Sequence, residues 1–124
     1  MEKICLDFET AVEFLRGEPS TIEKLKYYAD REELCITSHT MMHLLETIKK
    51  RDVVIAFANS VTILPFDKKA AHIATQINRE LYRKGELPKT DDSILTAAIC
   101  MANDAFIYSR STSKFEGIKG LRRV

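Results

Sequence analysis

Residues 1–17 read MEKICLDFETAVEFLRG, and the fold turns on how this stretch divides. Lys3 to Leu6 is a short apolar run, the pattern of a buried strand. Thr10 to Arg16, with Val12, Phe14 and Leu15, reads as a helix closed by Gly17. A single carboxylate, Asp7, stands at the junction. A strand without alternation is buried on both faces, as strands of a parallel sheet are. In such sheets the functional crevice lies outside the carboxyl ends of the strands, so Asp7 would project into it. The same residue is equally well placed as a plain N-cap of the helix that follows.

The rest of the chain repeats the alternation. Pro19 breaks it, and Ser20 with Glu23 has capping-box spacing for a second helix bearing Ile22, Leu25, Tyr28 and Ala29. Leu34 to Ile36 is a second strand. From Ser38 a helix is expected to about Lys50, with Met41, Leu44, Leu45 and Ile48 in one stripe. Asp52 to Asn59 reads as a helix with strand as the second choice, and Val61 to Leu64 as a third strand ended by Pro65. Asp67 caps a long helix through Ala70, Ile73, Ala74, Ile77 and Leu81, stopped after Arg83-Lys84 by Gly85. Pro88 separates it from a helix starting near Thr90 and Asp91, which buries Ile94, Leu95, Ala98 and Ala102. Ala105 to Tyr108 is a fourth strand, and the tail from Ser109 is irregular, with a weak last strand around Ile118. Strands alternating with helices predict an α/β protein in three layers, helices on both faces of a parallel sheet of four to five strands.

At 124 residues the expectation is a single domain, 1–124. With 45% apolar and 30% charged residues the composition is that of an ordinary globular chain. The formal net charge of +1 removes any bulk-charge argument for nucleic-acid binding, which must rest on local clusters. No apolar run approaches a membrane span, and the expected location is cytoplasmic. Cys5, Cys35 and Cys100 are widely spaced among aliphatic residues and read as core rather than as disulfides or zinc ligands.

Two acidic groups from different strand ends are the minimum for a hard divalent cation, and Asp91-Asp92, ahead of the penultimate helix, is the second such group after Asp7. Here the residues resemble the PIN domain and, within it, the VapC toxins of toxin–antitoxin pairs. LDFETAVEFLRG is similar to that family's opening strand, aspartate and first helix; ITSHTMMHLL to its second strand and following helix; ILPFD to its third strand and turn. KTDDSILTAAICMANDAFIYSRSTSKF resembles its closing pattern of aspartate, helix, short strand and Thr-Arg-Asn-x-x-x-Phe ending. The resemblance runs nearly end to end.

It implies a metal-dependent endoribonuclease using Mg²⁺ or Mn²⁺, neutralised by a small antitoxin and forming a homodimer through its early helices. Carried over position by position, Asp7 and Asp92 become the principal metal ligands, with Asp91 beside Asp92 as a possible substitute. The family's helical Glu falls on His43, and its acidic or Asn position after strand four falls on Ser111. Glu46, three residues beyond His43, is an alternative carboxylate close to the same face. These exchanges motivate a second reading, a PIN-fold RNA- or protein-binding module with weakened or lost catalysis. Plainer roles stand beside each: first-turn acids for Asp91 and Asp92, and a solvated polar face for His43 and Glu46. His39 and His72 are expected at the surface, and Met41-Met42 in the core or a subunit contact. Lys49-Lys50-Arg51 and Arg83-Lys84 are expected at helix ends. The tail cations Arg110, Lys114, Lys119, Arg122 and Arg123 either ring the acidic pocket or merely solubilise the tail.

Overall fold

The computed structural model describes residues 1–86 and 89–124, so the role expected for Pro88 lies outside the described residues. Among these are five strands and six α-helices: β1 (Lys3–Leu6), α1 (Phe8–Leu15), α2 (Pro19–Ala29), β2 (Glu33–Thr37), α3 (Ser38–Thr47), α4 (Arg51–Ser60), β3 (Thr62–Leu64), α5 (Lys68–Arg83), α6 (Asp91–Ala102), β4 (Phe106–Tyr108) and β5 (Arg122–Arg123). A short 3-10 turn spans Thr112–Phe115. The strands form one sheet in the order β3-β2-β1-β4-β5, every pair parallel.

Register explains why the central strands lack alternation. Cys5 lies opposite Cys35 on one side and Ile107 on the other, and all three face one core with Ala97, Ile99 and Cys100 of α6. The next residue along, Leu6, faces the other way with Ile36 and Tyr108, into a second core built from Ala11, Leu25, Leu44, Val54 and Phe57. A sheet wetted on neither face needs apolar side chains at odd and even positions alike. The three cysteines are free, buried core residues, as expected. Burial pushes the Cys35 thiol up to about 12, which keeps it unreactive.

Several boundaries differ from expectation for identifiable reasons. Helix α1 begins at Phe8, two residues early, because the Asp7 carboxylate accepts the Thr10 N–H at 3.0 Å and caps it there. The Ser20–Glu23 capping box does not form: Pro19 takes the first helical position, Glu18 precedes it, and the Ser20 hydroxyl turns back to Glu18 at 3.2 Å. Helix α3 stops at Thr47, with Ile48 extended, so Lys49 and Lys50 do not lie on its last turn. Residues 51–60 are helical, since Val54, Phe57 and Ala58 recur at helical spacing and are buried. The last strand is Arg122–Arg123 rather than a segment around Ile118, which is buried in the core instead.

The chain steps outward from β1 to β2 and β3, then returns to add β4 on β1's other edge. That reversal opens a crevice between the carboxyl ends of β1 and β4. Among the described residues no helix is long and apolar enough to cross a membrane. Ile36 is fully buried at the sheet's centre. Ile36→Ala is expected to cost about 2–5 kcal/mol, read as a lower urea midpoint at unchanged m-value.

Candidate active site

Asp7 is only 3% exposed, and both its oxygens are engaged. Oδ1 caps α1, and Oδ2 accepts the Ser109 hydroxyl at 2.5 Å. Ser109 follows β4 directly, so this bond crosses the switch point. Capping and crevice, read from the sequence as alternatives, are two ends of one carboxylate. Ser111 stands one step back: its N–H donates to Ser109 Oγ at 3.1 Å. Nothing in the composition around Ser109 marks it; its signal is position alone, as the first residue after the strand paired with β1.

Asp92 lies in the first turn of α6, whose cap is Thr90, accepting the Ser93 N–H at 3.3 Å. Around Asp92 the structure gathers two imidazoles. His43 Nε2 is 3.9 Å from Asp92 Oδ1, and the His43 ring meets Phe8, the residue after Asp7, edge-on with centroids 5.9 Å apart. His39 corrects the surface placement expected of it: its side chain is 13% exposed, and Nε2 lies 3.2 Å from Asp92 Oδ1, 3.0 Å from Thr96 Oγ1 and 3.4 Å from Thr37 Oγ1. One ring nitrogen cannot point at three oxygens, and Asp92 Oδ1 accepts no aligned hydrogen bond although it is buried. Helical periodicity puts His39 outside the Met41–Leu44–Leu45–Ile48 stripe and says nothing about α6 covering that side. His72 is exposed, as expected.

Glu46 is 66% exposed and reaches His43 Nδ1 at 3.5 Å, so it touches the crevice only through that ring. Asp91 is exposed at the first position of α6, where its charge complements the helix terminus. Met41 is half-buried and Met42 exposed.

The tail cations are mostly committed to the protein. Arg110 donates to Ser20 Oγ at 2.9 Å and Thr21 Oγ1 at 3.0 Å and lies 3.4 Å from Glu13. Arg122 donates to the Asp104 carbonyl and stacks on Phe106, and Arg123 donates to the Phe115 carbonyl. Lys114 pairs with Glu9 in the first turn of α1, and its charge also reaches Asp92. Of these four, Lys114 is thus the one whose charge bears on Asp92.

The His39 contact holds the Asp92 carboxyl below the usual carboxylate value; partial burial opposes this, while the charges of His39, His43 and Lys114 assist. Asp92 is therefore an anion at neutral pH. A depressed folded pKa contributes stability above the unfolded value of about 3.9, and that contribution is lost as pH falls through the folded value. His39→Ala is expected to raise the Asp92 pKa, read by carboxyl-carbon NMR, and to make the urea midpoint less sensitive to pH below about 4.

Comparison with known proteins places this geometry. No family model matches the chain, and no curated protein matches it. Solved structures do. A chain of VapBC2 from Rickettsia felis, bound to a DNA fragment from its promoter, superposes with a TM-score of 0.86 at 19% identity over 98% of this chain and 97% of that one. DNA-bound VapBC from Salmonella typhimurium gives 0.83 at 27% identity over 100% and 98%. VapBC-1 from nontypeable Haemophilus influenzae gives 0.83 at 14% identity over 98% and 96%. The chain thus has, along its whole length, the three-layer fold found in VapBC toxin–antitoxin complexes.

Proposed function

We propose that this protein is the toxin of a VapBC-type pair, a PIN-domain endoribonuclease that cleaves RNA phosphodiesters at the crevice between β1 and β4. The observation that carries the reading is Asp7, anchored across the switch point by Ser109, with the adjacent Phe8 against the His43 ring that stands beside an anionic Asp92. Full-length likeness to chains of toxin–antitoxin complexes supports it.

Such a reaction calls for Mg²⁺ or Mn²⁺, and the donors fit a sparse site. Among the described residues no three His, Cys, Asp or Glu side chains converge to hold an ion by themselves. Mg²⁺ commonly takes only one or two carboxylates and completes its shell with water and substrate phosphate. Asp92 Oδ1, buried without an aligned donor, is the oxygen such an ion would satisfy, and Asp7 is the second carboxylate. When bound, the ion would activate water and balance charge on the phosphodiester. The chain's own residues do the rest. Ser109 fixes the Asp7 carboxylate, His39 braces Asp92 against Thr96, and the Lys114 ammonium offers positive charge to a phosphate entering beside Glu9. His43, half exposed at the mouth, is placed to hold or move a proton. The antitoxin would cover this crevice, and exposed Met42, Val53 and Ile55 on α3 and α4 suit a contact between two toxin copies in the cytoplasm.

His43 and Ser111, at positions the family fills with acidic or Asn residues, favour the second reading, a binding module that does not cut. One experiment separates the two: incubation of a mixed RNA pool with the purified, antitoxin-free protein and Mg²⁺ or Mn²⁺, beside Asp7→Asn and Asp92→Asn. At Asp7, Asn retains the N-cap of α1 through its oxygen and removes the charge, with its amide N–H facing the Ser109 hydroxyl. The expected result is metal-dependent cleavage that falls more than about 100-fold in both variants, beyond the 10–100-fold typical of residues that only support a ligand. A folded wild type that cuts no better than the variants would assign the chain to the binding module.

A further inference from the structure

Charge is not spread evenly over the helices. The chain as a whole carries 19 Lys and Arg against 18 Asp and Glu, yet no exposed residue of α5 is acidic. Its exposed cations are Lys68, Lys69, Arg79 and Arg83, and its one acid, Glu80, is half-buried. The exposed faces of α2 and α4 mix both signs, and those of α1, α3 and α6 carry only acids. On α5 one large aromatic also stands in water: Tyr82, 88% exposed. Arg79 and Arg83 are three residues before it and one after, so two guanidinium groups share its turn, and all three side chains line one shallow surface depression. Glu80 lies 3.3 Å from the Arg83 guanidinium and steadies it.

We propose that the outer face of α5 is a binding surface for single-stranded RNA, separate from the crevice. A polyanion is selected by a row of cations in excess over acids, and here Lys68, Lys69, Arg79 and Arg83 outnumber the single half-buried Glu80 paired with Arg83. An exposed ring flanked by guanidinium groups is what an unpaired base stacks on, and a duplex hides its base faces. The helix starts just beyond the carboxyl end of β3, on the crevice side of the sheet, and runs about 22 Å toward the opposite end. An RNA strand leaving the crevice along α5 would meet Lys68 and Lys69 first and Tyr82 last. The proposal rests on RNA being the substrate and deepens that reading by giving it a contact remote from the chemistry.

The test measures binding without cutting. Fluorescence anisotropy of a labelled, unstructured oligoribonucleotide and of an RNA duplex, both in EDTA, would compare the intact protein with Tyr82→Ala and with Arg79→Glu/Arg83→Glu. All three side chains are solvent-facing, and melting curves would verify that the variants fold. The expected result is a loss of single-strand affinity of about 5- to 100-fold for Tyr82→Ala, with duplex binding little changed. The charge reversal weakens binding and flattens its salt dependence. Unchanged single-strand affinity in both variants overturns the proposal, as does an equal loss on the duplex. Altered sedimentation with RNA affinity intact would give the face to a second copy of the chain and overturn it too. Failure of the ribonuclease reading is distinguishable: a protein that binds RNA through α5 but cuts nothing keeps this surface and loses the enzyme.

Discussion

The structure depends on β1 being sealed on all sides. Its edges pair with β2 and β4, and its faces press into two cores, so Cys5 and Leu6 are inaccessible to water. A four-residue strand so enclosed cannot slide by one position, because a slip would exchange the face of every side chain at once. The end of β1 is thereby pinned, and Asp7 with it. The carboxylate then uses one oxygen to start α1 and the other to hold the segment after β4, so a local capping bond and a bond across 102 residues meet on one side chain.

Around that anchor the crevice is negative in composition but not bare. Asp92 faces two imidazoles, Glu9 is matched by Lys114, and Glu13 by Arg110. A partly buried anion needs partners, and here they come from the imidazoles of α3 and from the cations of the segment after β4. At the crevice mouth stand an imidazole, His43, and a neutral hydroxyl residue, Ser111, in place of further carboxylates.

Much of this is legible in the sequence. The order of strands and helices follows from short, mostly apolar runs at residues 4–6, 34–36 and 61–64, set between helical stripes, and Asp67 and Gly85 bracket α5 as caps do. What could not be read was lateral. His39 looks like a surface residue along α3, since one helix's periodicity carries no information about which neighbour leans over its polar side. Ser109 and Lys114 are ordinary residues of an irregular tail until β4 sets them beside α1. The Ser20 capping signal lost to a proline one residue earlier, a local competition decided by which residue is already shaped for the first helical turn.

The bond between Ser109 and Asp7 also bears on when the protein acquires a working crevice. A chain made at about 5–20 residues per second exposes Asp7 several seconds before Ser109 exists. Until β4 docks, β1 has one open edge, and neither the hydroxyl that orients Asp7 nor the ammonium beside Glu9 is in place. The site is assembled by its last-made parts, so a nascent or truncated chain has the aspartate without the setting that gives it a role. Synthesis itself then acts as a delay line, during which a partner already present can meet the crevice as it forms.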